Sequence, residues 1–291
     1  MTIPVQPEGG ALISPLSIAD LKDICAFVHA RTGMIFGETK RYYVERRICE
    51  LMRVRGSATP QDYLAVLRAD ETEVEKIINS FTVNETYFYR EEHQLACLSH
   101  SILPEIVRTK RPGDRIRIWS MPCSTGEEPY SIAIWLLENW QLVDAYHVEI
   151  VGSDIDTAVL HQAREASYGE RALSKLPSEL IEGYFEPKHA RKHTLIADLR
   201  ESVSFTKANI LDPASLAASG RFDVIFCRNL LIYFDDEGRQ LAAHNLHEVL
   251  NPGGYICLGH SESMARISDR FDLIRFPDAI VYRRGDGASD G

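Results

Sequence analysis

The chain has 291 residues, of which 45% are hydrophobic and 25% charged, and its formal net charge is −10. This composition is that of a globular protein and excludes fibrous, collagen-like and wholly disordered chains. The acidic balance argues against a general nucleic-acid-binding protein, because phosphate binding needs a basic surface. The length exceeds one typical domain and suits one large domain with a small one.

Targeting signals and cysteine usage favour a cytoplasmic protein. The longest apolar runs, such as 132–137, are far shorter than the roughly 20 residues that a membrane span needs. The N-terminal stretch MTIPVQPEGGALISP contains no basic residue and no apolar core of signal-peptide length. The six cysteines are widely spaced without a CxxC pair, which favours reduced thiols over disulfides or a zinc site. We therefore expect no bound metal.

Short helices are predicted in the first part of the chain, after a flexible lead-in at 1–13 that is rich in proline and glycine. Apolar residues recur at helical spacing after Ser17, a candidate N-cap, and the pattern stops at Gly33. Further helices are predicted over 39–55, from Thr59 and Pro60 onwards, and over about 71–81. Residues 14–82 are thus predicted to form a small helical domain, and 83–113 a helical linker.

Strands alternate with helices between residues 114 and 284. Strands are predicted at 115–120, 147–156, 222–229 and 254–260, with helices at 128–140, 157–167 and 236–250 and a closing strand pair at 271–276 and 279–284. This alternation predicts an α/β fold with a doubly wound, mostly parallel sheet. Residues 168–208 break the pattern with a helix near 176–185 and short strands at 193–199 and 201–209. We interpret them as an inserted antiparallel subdomain, and residues 285–291 as a flexible tail.

The loop after the first strand, 121–131, carries the first ligand signal, because doubly wound folds bind ligands beyond their strand ends. It has a single glycine, Gly126, followed by Glu127 and Glu128. The GxGxxG fingerprint is missing, and the two acids would repel a pyrophosphate. A cationic or neutral ligand such as S-adenosylmethionine fits better. A helix start at which the dipole favours glutamate is the alternative.

The second strand ends at Asp154, where a carboxylate can accept hydrogen bonds from both ribose hydroxyls of a nucleoside. The alternative role, an N-cap for the next helix, suits Asp156 better than Asp154. Further along, the turn LNPGG at 250–254 lies between a helix and a strand. Such a turn is characteristic of class I methyltransferases, and its glycines permit a positive φ.

Several stretches in the same order resemble one family. They are NETYFYRE at 84–91, STGEEPYS at 124–131, FCRNLLIYF at 226–234 and GHSES at 259–263. Together they closely resemble the chemotaxis receptor methyltransferases of the CheR type, over about residues 15–284. The resemblance implies a class I S-adenosylmethionine-dependent methyltransferase that converts glutamate side chains of chemoreceptors into methyl esters.

The resemblance also implies which residues bind the cofactor: Asn84, Thr86, Arg90, Glu128, Asp154, Asn209, Ile210, Arg228 and Asn229. Glu128 and Asp154 would hold its amino-acid part and its ribose, while Asn209 and Ile210 would frame the adenine. Packing or capping is the alternative for each residue. For His260, a structural role is the favoured interpretation.

At the reacting centre the resemblance implies two catalytic residues. Arg90 would lie near the methionine carboxylate of the cofactor, and Tyr233 beside the methyl acceptor. A glutamate carboxylate is ionised at neutral pH and is already a nucleophile. We therefore expect catalysis by positioning, without a general base. One departure from the family is that Met121, Pro122 and Cys123 replace the small residues that usually precede Ser-Thr-Gly.

A partner surface is predicted on the second helix. Arg46 and Arg53 project from the face opposite its apolar residues, and by resemblance would bind the acidic methylation helices of chemoreceptors. A solvated charged face is the alternative. We expect a monomer that neither binds nucleic acid nor inserts into membranes. The stretch 185–199 lacks the glycine of family members that dock a receptor tether peptide, which favours tether-independent action.

Two other functions stay open at this stage. The chain could be a class I methyltransferase for another protein or a small molecule, or a non-catalytic cofactor-binding scaffold. Methylation of DNA or RNA amino groups is disfavoured, because the fourth strand is not followed by an Asn/Asp-Pro-Pro-Tyr motif that engages a flipped base.

Overall fold

The chain divides into two compact units, Met1–Val83 and Asn84–Gly291. The structure, a computed structural model, describes residues 16–37, 41–189 and 191–285. Three sequence predictions lie outside the described residues: the lead-in at 1–13, the start of the second helix at 39–40 and the tail at 286–291.

The described part of the first unit is helical. Its helices are α1 (Ile18–Thr32), α2 (Arg41–Arg55), α3 (Pro60–Ala69) and α4 (Glu71–Phe81). The Ser17 hydroxyl accepts the N–H of Asp20 while the Asp20 carboxylate accepts the N–H of Ser17, which is a capping box. Gly33 ends α1 with a φ of 69°, a conformation that favours glycine. Thr59 caps α3 through its hydroxyl, so local cap chemistry sets these helix ends.

Burial defines the inner face of α2. Val44, Ile48 and Met52 are buried at helical spacing, while Tyr42 and Val54 on other faces are 77% and 71% exposed. The apolar stripe predicted from the sequence is therefore the packed side of this helix.

The second unit begins with the segment 84–91, followed by α5 (Glu92–Cys97), a π-helical turn over 98–102 and α6 (Leu103–Val107). Phe88, Leu95 and Ile102 belong to the core of this unit. The stretch predicted as a linker is therefore, apart from Val83, an integral part of the larger unit. The helix starts later than the periodicity predicts, because Glu91 has a φ of 55°.

A seven-stranded sheet organises the second unit, in the order β5-β2-β1-β6-β7-β9-β8. Its strands are β1 (Arg115–Ser120), β2 (His147–Asp154), β5 (Val203–Lys207), β6 (Phe222–Cys227), β7 (Leu250–Leu258), β8 (Phe271–Arg275) and β9 (Ile280–Arg284). The first five strands of that order pair in parallel, and β9 and β8 pair antiparallel. The chain reverses its direction of strand addition between β1 and β6, which marks the ligand-binding edge of such a sheet.

The remaining helices connect these strands. They are α7 (Glu127–Asn139), α8 (Thr157–Glu165), α9 (Glu170–Leu173), α10 (Ser178–Tyr184), α11 (Ala197–Glu201), α12 (Pro213–Ala217) and α13 (Asp236–Val249). Short 3₁₀ turns cover 143–145, 231–233 and 264–266. Among the described residues, no helix is both long enough and apolar enough to cross a membrane.

The inserted region differs from its prediction in two respects. A small antiparallel sheet is present, formed by β3 (Ser167–Tyr168) and β4 (His193–Thr194). The strand predicted over 193–199 is only these two residues long, however, and α11 replaces its second half. The strand predicted over 201–209 is β5, which pairs with β2 in the large sheet, so the insertion ends before Val203. Alternation in a sequence identifies a strand but does not identify its partner.

All three tryptophans of the chain are buried in the second unit: Trp119, Trp135 and Trp140. The ring of Trp119 stacks on Phe222 with centroids 4.9 Å apart, and its indole N–H donates to Ser153 Oγ at 2.8 Å. Trp135 donates to Ser99 Oγ at 3.0 Å. Each of these two indole N–H groups thus has a hydrogen-bond partner, as burial requires.

Truncation of a buried residue of α2 tests the packing of the first unit. We expect Ile48→Ala to lower the free energy of unfolding by about 2–5 kcal/mol, because it removes a buried side chain and leaves a cavity. Val54→Ala, on the exposed side of the same helix, should change it by no more than about 0.5 kcal/mol. Urea unfolding followed by circular dichroism measures both, and equal effects would contradict the assigned packing face.

Candidate active site

The loops after β1, β2 and β6 meet at one edge of the sheet. In the parallel register Ser120 of β1 pairs with Gly152 of β2 and with Phe226 of β6, so the three strands end within two residues of one another. The polar residues that follow them therefore lie close together.

Asp154 lies at the end of β2 and is only 3% exposed. Its carboxylate accepts the backbone N–H of Ser124 at 2.9 Å and that of Asp156 at 3.0 Å. Burial raises the pKa of Asp154 to about 6, although these N–H groups oppose the shift. The N-cap role belongs to Asp156, which accepts the N–H of Ala158 at 2.8 Å. The predicted N-cap role of Asp156 is confirmed, while the ribose contact of Asp154 stays a prediction.

Gly126 is required by packing within the loop. Its φ is 93°, and a Cβ at this position would lie 3.0 Å from both Ala163 Cβ and Tyr168 Oη. Tyr168 also donates its hydroxyl to the carbonyl of Thr125 at 2.9 Å. The glycine therefore lets the loop approach α8 and β3 closely, and it opens α7 as predicted.

The two glutamates after Gly126 are both held by hydrogen bonds. Glu127 is buried and accepts the hydroxyl of Thr125 at 2.6 Å. Glu128 accepts Ser120 Oγ at 2.7 Å and the guanidinium of Arg228 at 2.8 Å. Burial raises the pKa of Glu128, while the positive charge of Arg228 opposes that shift.

Arg228, at the end of β6, links three parts of the site. Its side chain is 4% exposed and contacts Glu128 at 2.8 Å and Glu91 at 3.2 Å. It also donates to the carbonyl of Arg90 at 2.8 Å. These contacts give Arg228 a structural role within the protein, and its contact with the cofactor stays a prediction.

Glu91 lies between Arg228 and His260 and contacts both. The Glu91 carboxylate lies 2.9 Å from His260 Nδ1. Burial opposes ionisation of Glu91, yet Arg228 and His260 together hold its pKa below the usual range. His260 thus has the satisfied structural contact that the sequence favoured.

The segment before α5 contributes the next group of predicted residues. The Asn84 amide donates to Asp156 at 3.0 Å, so Asn84 lies at the end of β2. Arg90 donates to the carbonyl of Glu85 at 2.8 Å, and its guanidinium lies 5.8 Å from the ring centroid of Tyr87. Thr86 is half-buried in the same segment.

Tyr233 lies in the 3₁₀ turn after β6 and is half-buried. Burial raises the pKa of its phenol, and the positive charge of Arg90 opposes that shift. The phenol therefore keeps its proton at neutral pH, and the two residues predicted at the reacting centre lie within electrostatic reach of each other.

Asn229 begins the loop after β6 with a φ of 58°. Its N–H donates to Glu262 Oε2 at 2.7 Å, and the N–H groups of Leu230 and Leu231 donate to Glu262 Oε1 at 2.9 and 2.7 Å. Glu262 belongs to the GHSES stretch, but the sequence alone assigns it no role. Its partners are backbone N–H groups, which can belong to any residue type and therefore leave no sequence pattern.

The residues predicted around the adenine have structural contacts of their own. The side-chain carbonyl of Asn209 accepts the N–H of Leu211 at 3.1 Å. Ile210 is 2% exposed, and its carbonyl accepts the amide of Asn245 at 2.8 Å. These contacts match the capping and packing alternatives, and the adenine roles stay predictions.

Arg46 and Arg53 are both exposed on α2 in the first unit. They share the solvent side of the helix with Tyr42, while Ile48 and Met52 are buried. The face is accessible, as the partner prediction requires.

The chemistry of the site suits S-adenosylmethionine. Its strand ends carry four carboxylates, on Glu127, Glu128, Asp154 and Asp156, and the buried cation Arg228 is paired with acids. Such carboxylates can accept hydrogen bonds from ribose hydroxyls, and their negative charge is compatible with a sulfonium and an amino group. The same charge would repel a pyrophosphate. The described residues include no group of three or more His, Cys, Asp or Glu that could hold a metal ion.

Comparisons with known proteins agree with this chemistry. The family profile described as "CheR methyltransferase, SAM binding domain" matches residues 84–280, and "CheR methyltransferase, all-alpha domain" matches residues 19–82. The chain is 44% identical over 274 residues to "Chemotaxis protein methyltransferase 2" of Vibrio cholerae, covering 92% of this chain and 95% of the relative. It is 33% identical over 273 residues to "Chemotaxis protein methyltransferase" of Vibrio parahaemolyticus, covering 92% and 98%.

Both domains of the family are matched in order, and the relatives align along nearly their whole length. The sheet order and the acidic strand ends agree with the class I fold that the sequence predicted. The chain therefore belongs to the CheR methyltransferase family and is an S-adenosylmethionine-dependent methyltransferase.

Proposed function

We propose that this protein acts in the cytoplasm as a monomer and methylates glutamate side chains of chemoreceptors, forming glutamate 5-O-methyl esters. The names of the relatives support a chemotaxis protein as the acceptor. A carboxylate acceptor also suits the site, since the nucleophile is ionised at neutral pH and no proton has to be removed from it.

The observation that carries the proposal is the proximity of Arg90 and Tyr233. The charge of Arg90 acts on the pKa of Tyr233, so a cation lies within electrostatic range of a protonated phenol. A guanidinium attracts a carboxylate, and a phenol can donate to one of its oxygens. Together they can orient an acidic side chain while leaving its second oxygen available.

Alignment is then the main contribution of the chain. The bound cofactor supplies an electrophilic methyl group. In the proposed roles, Asp154 accepts the ribose hydroxyls, Glu128 faces the amino-acid part, and Arg90 and Tyr233 hold the acceptor. Holding two reactants in line can contribute about 7–11 kcal/mol. Arg90 must not bind the acceptor too tightly, because uniform binding of ground state and transition state adds nothing to the rate of the chemical step.

Methyl transfer from tritiated S-adenosylmethionine to receptor-bearing membranes tests the acceptor chemistry. We expect label that mild alkali releases as methanol, because a glutamate methyl ester hydrolyses readily, and peptide mapping should assign it to glutamate. Label that resists alkali would point to another protein acceptor or another atom. Tight cofactor binding without transfer to any acceptor would favour a non-catalytic scaffold.

Asp154→Ala tests the proposed ribose contact. We expect its affinity for S-adenosylhomocysteine to fall at least tenfold, or about 1.4 kcal/mol, as measured by isothermal titration calorimetry. Asp223→Asn, a change in a buried carboxylate at the start of β6, is the matched control and should leave the affinity unchanged. Unchanged affinity in Asp154→Ala would remove the assignment.

The same contact predicts a pH dependence. The ribose hydroxyls donate to the ionised form of Asp154, whose pKa is raised to about 6. The affinity for S-adenosylhomocysteine should therefore reach its full value above about pH 6 and fall as the pH drops below it. We expect it to be about tenfold weaker at pH 5 than at pH 7. Burial also raises the pKa of Glu127 and Glu128, so Asp154→Asn is the control. A dependence of the same size in Asp154→Asn would assign it to another group.

Charge reversal on α2 tests the proposed receptor face. Arg46→Glu/Arg53→Glu should raise the KM for the receptor about tenfold or more and flatten its salt dependence, because the partner is acidic. The kcat and the cofactor affinity should not change. Lys22→Glu/Arg68→Glu reverses two other exposed cations of the first unit, with the same change in net charge. An equal effect of the two pairs would indicate general electrostatics in place of a specific face.

A further inference from the structure

One carboxylate fixes the loop between β6 and α13. Glu262 accepts four backbone hydrogen bonds, with Oε2 bound by Asn229 at 2.7 Å and Gly259 at 3.0 Å, and Oε1 bound by Leu230 at 2.9 Å and Leu231 at 2.7 Å. All four partners are N–H donors, so both oxygens must act as acceptors. Hydrogen bonds from amides to a carboxylate are charge-assisted and strong.

The loop that Glu262 binds includes a residue with a left-handed backbone conformation. Asn229 has a φ of 58°, in the left-handed region that few residues with a Cβ adopt, although asparagine does so more readily than most. Three successive N–H groups, from Asn229 to Leu231, then converge on one side of the loop. Without an anion between them they would lack partners, so Glu262 selects this loop conformation.

Gly259 provides the space for this contact. A Cβ on Gly259 would lie 2.9 Å from Glu262 Oε2 and 3.0 Å from Asn229 Nδ2, both closer than van der Waals contact allows. The residue after β7 therefore has to be a glycine for Glu262 and the Asn229 amide to approach each other.

The loop leads directly to the reacting centre. Leu231, whose N–H is bound by Glu262, is the first residue of the 3₁₀ turn that ends in Tyr233. Asn229, at the other end of the bound stretch, is a predicted cofactor contact. A single carboxylate thus sets the backbone on which both side chains depend.

We propose that Glu262 is a positioning residue for methyl transfer, which fixes Asn229 towards the cofactor and Tyr233 towards the acceptor. The inference rests on the proposed roles of those two residues. Both oxygens of Glu262 are engaged by backbone N–H groups, so in this proposal its effect passes through those two residues.

Glu262→Gln tests the inference. A glutamine offers one acceptor oxygen, and its NH₂ group would face two of the four N–H donors, so two hydrogen bonds are lost whichever way the amide turns. We expect kcat to fall about tenfold or more and the affinity for S-adenosylhomocysteine to fall by a smaller factor. Because Glu262 acts through Tyr233 and Asn229, the losses caused by Glu262→Gln should be smaller in variants that already lack the Tyr233 hydroxyl or the Asn229 amide. Glu262→Gln should reduce kcat much less in Tyr233→Phe, and the affinity much less in Asn229→Ala.

Asp223→Asn is the control for a merely structural loss. Asp223 is a buried carboxylate on β6, at the opposite end of the strand from the loop that Glu262 holds. It accepts the N–H of Arg117 at 2.8 Å. We expect this change to lower the thermal midpoint while kcat stays unchanged. If Glu262→Gln lowers kcat only in proportion to the folded fraction, as measured by circular dichroism, the inference is wrong. It is also wrong if the double variants show fully multiplicative losses.

Two further features keep the test decisive. Should Glu262→Gln not fold, Gly259→Ala disturbs the same contact and should reproduce the loss of kcat, whereas an unchanged kcat would overturn the inference. If the wild-type protein methylates no receptor glutamate, the proposed function fails. The affinity measurements in the Asn229 background do not use the acceptor, and they still decide the role of Glu262.

Discussion

The buried guanidinium of Arg228 is the contact on which the site depends. It joins the end of β6 to Glu128 at the start of α7 and to Glu91 and the carbonyl of Arg90 before α5. Three segments far apart in the chain are therefore held by one cation. Buried ion pairs of this kind contribute little net stability, but removal of one partner leaves uncompensated buried charges. Arg228 thus specifies geometry more than it adds stability.

This cation also explains how so many acids coexist at one sheet edge. Glu128 and Glu91 share Arg228, Asp154 is bound by backbone N–H groups, and Asp156 caps α8. Each of these four carboxylates therefore has a hydrogen-bond or ion-pair partner within the protein. A ligand that enters the site meets acceptors that the protein already holds in position.

Much of the fold could be predicted because its signals are local. The side chains of Ser17, Thr59 and Asp156 cap helices by accepting backbone N–H groups two or three residues further along. Such chemistry is visible in a short window of sequence. The partner of β5 was not predictable in this way, since strand pairing is non-local. The late start of α5 also escaped, because a left-handed Glu91 breaks a pattern that is otherwise helical.

The candidate site shows the same division. Asp154 and Arg228 could be proposed as site residues because strand ends and family motifs mark their positions, and Tyr233 because the family resemblance implies its role. Glu262 was missed as a functional residue, since its partners are peptide N–H groups. The contacts of Asn209 and Ile210 could not be foreseen either, because they depend on α13 and on a turn that forms only in the folded chain.

The placement of the tryptophans has an optical consequence. Trp119, Trp135 and Trp140 are all in the second unit, and no tryptophan occurs before Phe81 in the sequence. Indole fluorescence excited at the red edge therefore reports the catalytic unit alone, while the helical unit contributes only tyrosine emission. Because Trp119 lies on β1, one residue before the end of the strand, part of this label-free signal comes from the interior of the sheet.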